Sequence, residues 1–278
     1  MPEDFMTLSN GNARPQPCFL VGAPRSGTTW LQRVLQAHPA ICGGEESHFF
    51  TLLAHPMTET DVMAEYGDRP VGPLAYVSRG EFDGILLDVW DKLFTRTWAA
   101  KPDAIVHLEK TPFHSLCMEQ ILHLFPQARF VHLVRDSRAV SASLIAAGNS
   151  WGSNWAARTA KAAALDWNRH VTAIERFAQN HPGVPVLQVR YEEALDQTEA
   201  VVARILQFVL PQDVDPKADE VLARYQQSNI GRNDPAGFSR MRGRDGWRKD
   251  LSIADKLVIW RYTRRKMQEL GYDFTPFR

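Results

Sequence analysis

The chain has 278 residues, 44% of them apolar and 23% charged, enough for one large domain or two modest ones around a sizeable core. Its 32 basic side chains equal its 32 acidic ones, a balance that argues against a broad nucleic-acid or polyanion surface and leaves room for a local basic pocket. Low hydrophobicity and high net charge are both missing, which excludes disorder as the dominant state.

In chain order, the first 17 residues are polar and interrupted by Pro2, Pro15 and Pro17. They do not read as a signal peptide and are expected to form a flexible N-terminal arm, with residues 18–278 forming a single domain. A strand is expected over 18–21, then a loop, then an amphipathic helix over 28–37. The stretch 54–78, with its glycines and prolines, predicts irregular chain. A strand over 105–108, a helix over 115–124, a strand over 129–134 and a helix over 137–147 come next. A helix over 156–179, a Val-rich buried strand over 184–189 and a helix over 199–209 follow. A second Gly-rich stretch, 227–248, again predicts a loop, and loops of that length are often functional. Short apolar runs alternating with helical patterns are the signature of βαβ units, so the expected fold is α/β, three layers with a central parallel β-sheet flanked by helices. Cys18, Cys42 and Cys117 are odd in number and widely spaced, which suits a reducing compartment better than a disulfide framework. No apolar run reaches the roughly 18 residues needed to span a membrane. Together these predict a cytoplasmic protein without a membrane span.

Gly22-Ala23-Pro24-Arg25-Ser26-Gly27-Thr28-Thr29 follows the first strand and opens the first helix. It has the glycine spacing of a P-loop, and the fold is accordingly expected to be P-loop-like, but Thr28 stands where the lysine belongs. Successive N–H groups at a helix N-terminus still make an anion cradle. The lysine that reaches β- and γ-phosphates is lost, and Arg25 instead puts a positive charge at the front of the loop. Such a site suits a short phosphoryl or sulfuryl arm better than a nucleoside triphosphate.

Pro24-Arg25-Ser26-Gly27-Thr28-Thr29-Trp30-Leu31 resembles the 5′-phosphosulfate loop of the sulfotransferases that use 3′-phosphoadenosine 5′-phosphosulfate (PAPS). A second family signature is a strand ending in Arg, then a helix with Ser eight residues on. It is present as Phe130-Val131-His132-Leu133-Val134-Arg135-Asp136-Ser137, continuing to Ser143. The resemblance implies PAPS as donor and 3′,5′-adenosine bisphosphate (PAP) as product. The donor would be held by Arg25, Ser26, Gly27, Thr28, Thr29 and Trp30, with Arg135 and Ser143 at its 3′-phosphate. Physically, Arg135 ends a strand, where ligands bind in open α/β sheets. Asp136 suits a helix N-cap, and Ser143 lies close to two helical turns beyond it, on the same face. The alternative for Arg135 is a surface ion pair with Asp136 or Asp166.

Gly43-Gly44-Glu45-Glu46-Ser47-His48-Phe49-Phe50 resembles the segment holding the catalytic Glu of heparan- and protein-tyrosine-type sulfotransferases. Both registers point to Glu46 as the base. Glu109-Lys110-Thr111-Pro112 resembles the segment whose Lys supports the leaving group, which assigns Lys110, with Arg25 as a further catalytic cation. Phenol and steroid sulfotransferases carry a His two residues after this Lys, where this chain has Pro112; His114 is a possible substitute. On composition alone, Glu45, Glu46 and Lys110 also suit a solvated surface. Tyr191 matches a family Tyr-Glu segment that touches the nucleotide, and Arg242 and Gly243 loosely match the loop over the 3′-phosphate. Trp30 suits either adenine stacking or the core; Trp151, Trp155 and Trp167 suit an acceptor cleft, Trp167 better the core.

The nine histidines show no HxH or HxxxH pairing, so no metal site is expected. A nucleotide kinase or NTPase would need a lysine at position 28 and a strand-terminal acid, and the chain has Thr28 and Arg135. A non-catalytic phosphonucleotide-binding module would need neither Glu46 nor Lys110. The expected acceptor is a hydroxyl on a small molecule, glycan or tyrosyl group; a nucleic-acid partner is not expected, and oligomeric state is not legible.

Overall fold

The structure is a computed structural model that describes residues 14–54, 72–229 and 245–273. Five strands form one sheet: β1 (Gln16–Val21), β2 (Ile41–Cys42), β3 (Val106–Glu109), β4 (Arg129–Val134) and β5 (Val186–Arg190). Their order is β2-β3-β1-β4-β5 and every pairing is parallel, with Cys18 registered against Leu108 on one side and Arg129 on the other. The chain fills one side of β1 with β2 and β3, then crosses to β4 and β5. Such a reversal opens a crevice at the carboxyl ends of the central strands.

Alternation along the strands explains the layers, because successive side chains point to opposite faces. Phe19 and Val21 of β1 and Phe130 of β4 join one core, while Cys18, Leu20, Val131 and Leu133 join the other. The first face is covered by α2 (Arg79–Ala99), α3 (Met118–Leu124) and α5 (Ala160–Asn180). Trp90 sits at its centre, its ring 5.2 Å from Phe49 and 4.9 Å from Phe125. The second face is covered by α1 (Thr28–Leu35), α7 (Thr198–Val209) and α8 (Ala218–Ser228). Between them in sequence lie α4 (Ser137–Gly148) and the short α6 (Tyr191–Asp196); α9 (Trp247–Asp250) and α10 (Ile253–Glu269) close the described chain, α10 packing on α4 and α5.

The expected strands and helices are found with ends displaced by a few residues. The helix expected over 115–124 divides into a 3₁₀ turn, Pro112–Leu116, and α3, because Pro112 starts the turn and Cys117 leaves helical geometry. The helix expected from 156 begins at Ala160, where Thr159 caps it by accepting from Ala162 N–H at 3.3 Å. Among the described residues, six strands and α-helices were not anticipated: β2, α2, α6, α8, α9 and α10. Of the two stretches expected to be irregular, residues 72–75 form a 3₁₀ turn and Ser78 caps α2, residues 227–228 end α8 with Asn229 as its C-cap, and Trp247 begins α9; residues 55–71 and 230–244 lie outside the described residues. Among the described residues, no helix is long and apolar enough to cross a membrane.

Candidate active site

Each of the five strands delivers its chemistry at its carboxyl end. β1 runs into the loop before α1, β2 into the turn bearing Glu46, and β3 ends at Glu109 with Lys110 next. β4 is followed by Arg135, and β5 by Tyr191. Residues remote in sequence therefore meet along one edge of the sheet.

The loop between β1 and α1 is built around Gly27, whose φ of 97° is left-handed. A Cβ there would also lie 2.5 Å from the Tyr191 ring, so glycine is required twice over. Arg25 likewise has positive φ, 73°, a strained conformation for a residue with a side chain. Ser26 is fully buried, and its Oγ has no hydrogen-bond partner among the described residues. A buried, orphaned hydroxyl beside a helix start that no side chain among the described residues caps is the feature expected of an anion-binding loop.

Arg25 ties this loop to α4. Its Nε donates to Ser143 Oγ at 3.0 Å, and Arg135 NH1 donates to the Arg25 carbonyl at 3.3 Å. Arg25, Arg135 and Ser143 are thus brought together. The ion-pair alternative for Arg135 is met differently: Asp136 is held by Arg138, with NH2 to Oδ2 at 2.6 Å, while capping α4 through Arg138 N–H. Arg135 lies over the Tyr191 ring at 4.3 Å, and Trp167, fully buried, donates to the Arg135 carbonyl. Trp30 is half-buried, edge-on to Tyr191 at 5.9 Å and packed against the core beneath α1. Trp167 is therefore a core residue, whereas Trp151 and Trp155 are exposed, 5.5 Å apart, with Arg25 over Trp151 at 5.3 Å. Arg242 and Gly243 lie outside the described residues.

Lys110 is almost wholly buried, and its ammonium donates to Glu46 Oε1 at 2.6 Å and to Thr29 Oγ1 at 3.3 Å. Glu46, partly exposed, has its other oxygen 3.6 Å from His48 Nε2. Gln32 of α1 donates to the Gly44 carbonyl at 2.7 Å and so ties the Glu46 turn to the helix that follows the loop. A carboxylate and an ammonium thus stand beside the anion cradle. His114 is not presented to this space: it is fully buried, Nε2 accepts from Phe50 N–H at 3.2 Å, and Nδ1 faces Glu109 Oε2 at 2.8 Å. Its candidacy as a base is withdrawn for that reason.

Sequence reasoning did not single out Glu109, although it is in the quoted Glu-Lys-Thr-Pro segment. Burial by itself raises its carboxyl pKa, but the His114 imidazole and hydrogen bonds from His114, Ser47 and Thr111 outweigh burial and hold it down to about 2. Alternation places Glu109 and Lys110 on opposite faces, but the contact that turns Lys110 toward Thr29, and so Glu109 into protein, is tertiary.

A family model described as "Sulfotransferase family" matches residues 17–210. The nodulation protein NoeE of Sinorhizobium fredii is 24% identical over 287 aligned residues, covering 93% of this chain and 66% of that protein. Protein-tyrosine sulfotransferase A of Caenorhabditis elegans is 24% identical over 255 residues, covering 90% and 63%. Mouse protein-tyrosine sulfotransferase 1 is 31% identical over 129 residues, 46% of this chain and 33% of that protein. The chain spans just under two thirds of the length of the first two of these relatives. Among solved structures, the sulfotransferase domain of the curacin biosynthetic pathway superposes with a TM-score of 0.57 at 17% identity, covering 94% of this chain and 99% of that one. A mouse sulfotransferase complexed with PAP gives 0.55 at 16%, covering 97% and 94%. The family match takes in the loop after β1, the Glu46 turn, Lys110 and the β4–α4 junction, and the chain belongs to the sulfotransferase family.

Proposed function

We propose that this chain transfers the sulfuryl group of PAPS to a hydroxyl of a sugar, a phenol such as a tyrosyl side chain, or a small metabolite, releasing PAP. The observation that carries this is the junction at Lys110, where one buried ammonium touches both Glu46 and the loop residue Thr29. Charge-assisted contacts of this kind suit a reaction in which positioning and electrostatics dominate.

The donor supplies a sulfuryl group on a phosphate leaving group. The residues present fit it: the orphaned Ser26 hydroxyl and the left-handed Gly27, with Arg25, Thr28, Thr29 and Trp30, would hold the 5′-phosphosulfate end. Arg135 and Ser143 would hold the 3′-phosphate and Tyr191 the nucleotide; the family resemblance assigns Arg242 and Gly243, outside the described residues, to the 3′-phosphate as well. Glu46 accepts the proton of the attacking hydroxyl. Lys110 exchanges its contact with Glu46 for the leaving phosphate oxygen, which frees the carboxylate as the charge on that oxygen grows. Arg25 adds positive charge at the front of the loop, and the exposed Trp151 and Trp155 border the acceptor.

Calorimetric titration with PAP against ATP–magnesium tests the donor site. PAP alone is expected to bind; ATP–magnesium alone would favour a kinase or NTPase instead. With labelled PAPS, Glu46→Gln is expected to reduce turnover roughly 10²–10⁴-fold while leaving PAP affinity intact. Near-normal turnover in that variant removes Glu46 from the mechanism.

A further inference from the structure

We propose that Glu109 is a positioning residue, a buried carboxylate that sets Glu46 against Lys110 by clamping the backbone immediately after Glu46; this rests on the sulfuryl-transfer reading above. Four successive N–H groups, Ser47 to Phe50, lead into the short π-helical segment Phe49–Ala54, and all four end on Glu109 or on a group that Glu109 holds. Ser47 N–H donates directly to Glu109 Oε1 at 3.3 Å. His48 N–H donates to Thr111 Oγ1 at 3.3 Å, and that hydroxyl donates to Oε1 at 2.8 Å. Phe49 N–H donates to Ser47 Oγ at 3.2 Å, and that hydroxyl donates to Oε1 at 2.7 Å. Phe50 N–H donates to His114 Nε2 at 3.2 Å, and His114 Nδ1 lies 2.8 Å from Oε2.

One assignment of protons satisfies every contact. The carboxylate is ionised and only accepts; both hydroxyls accept an amide proton and pass on their own; the imidazole carries its proton on Nδ1. The N–H groups at a helix start normally go to a cap or to water; here the buried carboxylate takes one directly and the others through Ser47, Thr111 and His114. The clamp also holds His48 in a left-handed conformation, φ 51°, which costs free energy without support. Lys110 follows Glu109 on the same strand end, so a single segment fixes both the cation and the turn carrying the base.

The test is a double-mutant cycle with Glu46, read with labelled PAPS and whichever of phenol, N-acetylglucosamine and a tyrosyl peptide the wild type sulfates fastest. Glu109→Gln keeps the shape but brings an amide N–H₂ among donors. PAP affinity is expected to stay within about twofold, and kcat to fall about 10- to 100-fold. In the Glu46→Gln background the same change is expected to lower kcat less than about twofold, since it acts through Glu46. Equal loss in both backgrounds, or wild-type kcat in Glu109→Gln, overturns the positioning role. If Glu109→Gln does not fold, Ser47→Ala removes one strand of the clamp and must show the same non-additivity. Nitrogen-15 correlation spectra of the wild type must place the His114 proton on Nδ1; an Nε2–H tautomer overturns the clamp whatever the activity. A wild type that neither binds PAP nor transfers sulfate fails the sulfotransferase reading itself, whereas an active wild type with an insensitive Glu109 fails only this inference.

Discussion

At position 27 two constraints of different origin coincide, a left-handed φ and a ring face where a Cβ would stand. Gly27→Ala is therefore expected to weaken PAP binding and lower the melting temperature together. Gly27→Ala with Tyr191→Ala should relieve the clash but not the backbone strain, so only partial recovery of the melting temperature is expected, without recovery of PAP binding, since Tyr191 itself faces the nucleotide in the proposed site. Arg135 is different, because its value is electrostatic. Arg135→Ala is expected to weaken PAP binding roughly 10- to 100-fold, the loss of one charge-assisted phosphate contact, and unchanged affinity would move the 3′-phosphate elsewhere. Both residues were legible as sequence, one from glycine spacing and the other from its place after an apolar run. Glu109 was not, because a buried acid and a surface acid look alike until the donors around it are known.

At the scale of elements, α2 and α4 begin with caps of different weight. Ser78 and Glu81 form an exposed capping box at the start of α2, with Ser78 N–H donating to Glu81 Oε2 at 2.8 Å. Ser78→Ala is expected to cost about 1 kcal/mol, roughly 2–4 °C in melting temperature, without change in PAP affinity, since α2 brings no residue to the strand ends. Asp136 caps α4 and is buried with Arg138. Asp136→Ala leaves that guanidinium uncompensated, so the expected loss is about 3–5 kcal/mol, and PAP affinity falls as well because α4 carries Ser143. The α2 helix itself was in reach of the sequence, with its capping box and with Phe82, Leu86, Trp90, Phe94 and Trp98 at helical spacing. At two residues, β2 was not: no alternation can be read from Ile41 and Cys42, and only pairing with Val106 and His107 makes them a strand.

For the molecule as a whole, acid stability follows from its buried histidines. Burial pushes His107 and His132 down from 6.5 to about 4, slightly opposed at His107 by Glu109. On acidification the unfolded chain takes up these protons first, so the folded state loses stability as pH falls from 6.5 toward 4. Glu109 adds a second window: it stabilises above 4.5, and that contribution is lost as pH falls toward 2. Denaturant unfolding between pH 7.5 and 4.5 should show the first window. His132 Nε2 has no partner among the described residues, so His132→Leu is expected to reduce the slope by up to about 1.4 kcal/mol per pH unit. An unchanged slope would mean that His132 is protonated alike in both states.

The sequence by itself determined the class of sheet, the loop after β1, the strand-terminal Arg135, and Glu46 and Lys110 as the candidate acid–base and cationic groups. The first three are local facts, set by spacing, by apolar alternation and by glycines that only particular turns require; Glu46 and Lys110 were singled out by the family resemblance of their segments. Tertiary structure alone decided which of them meet. The order β2-β3-β1-β4-β5 puts five carboxyl ends side by side, and so joins Arg25 to Ser143 and Lys110 to Thr29 and Glu46. It also turned His114 inward and gave Glu109 its donors. Hydrogen bonds and ion pairs between distant segments depend on where the backbone returns, and burial decides whether a charged side chain faces water or protein.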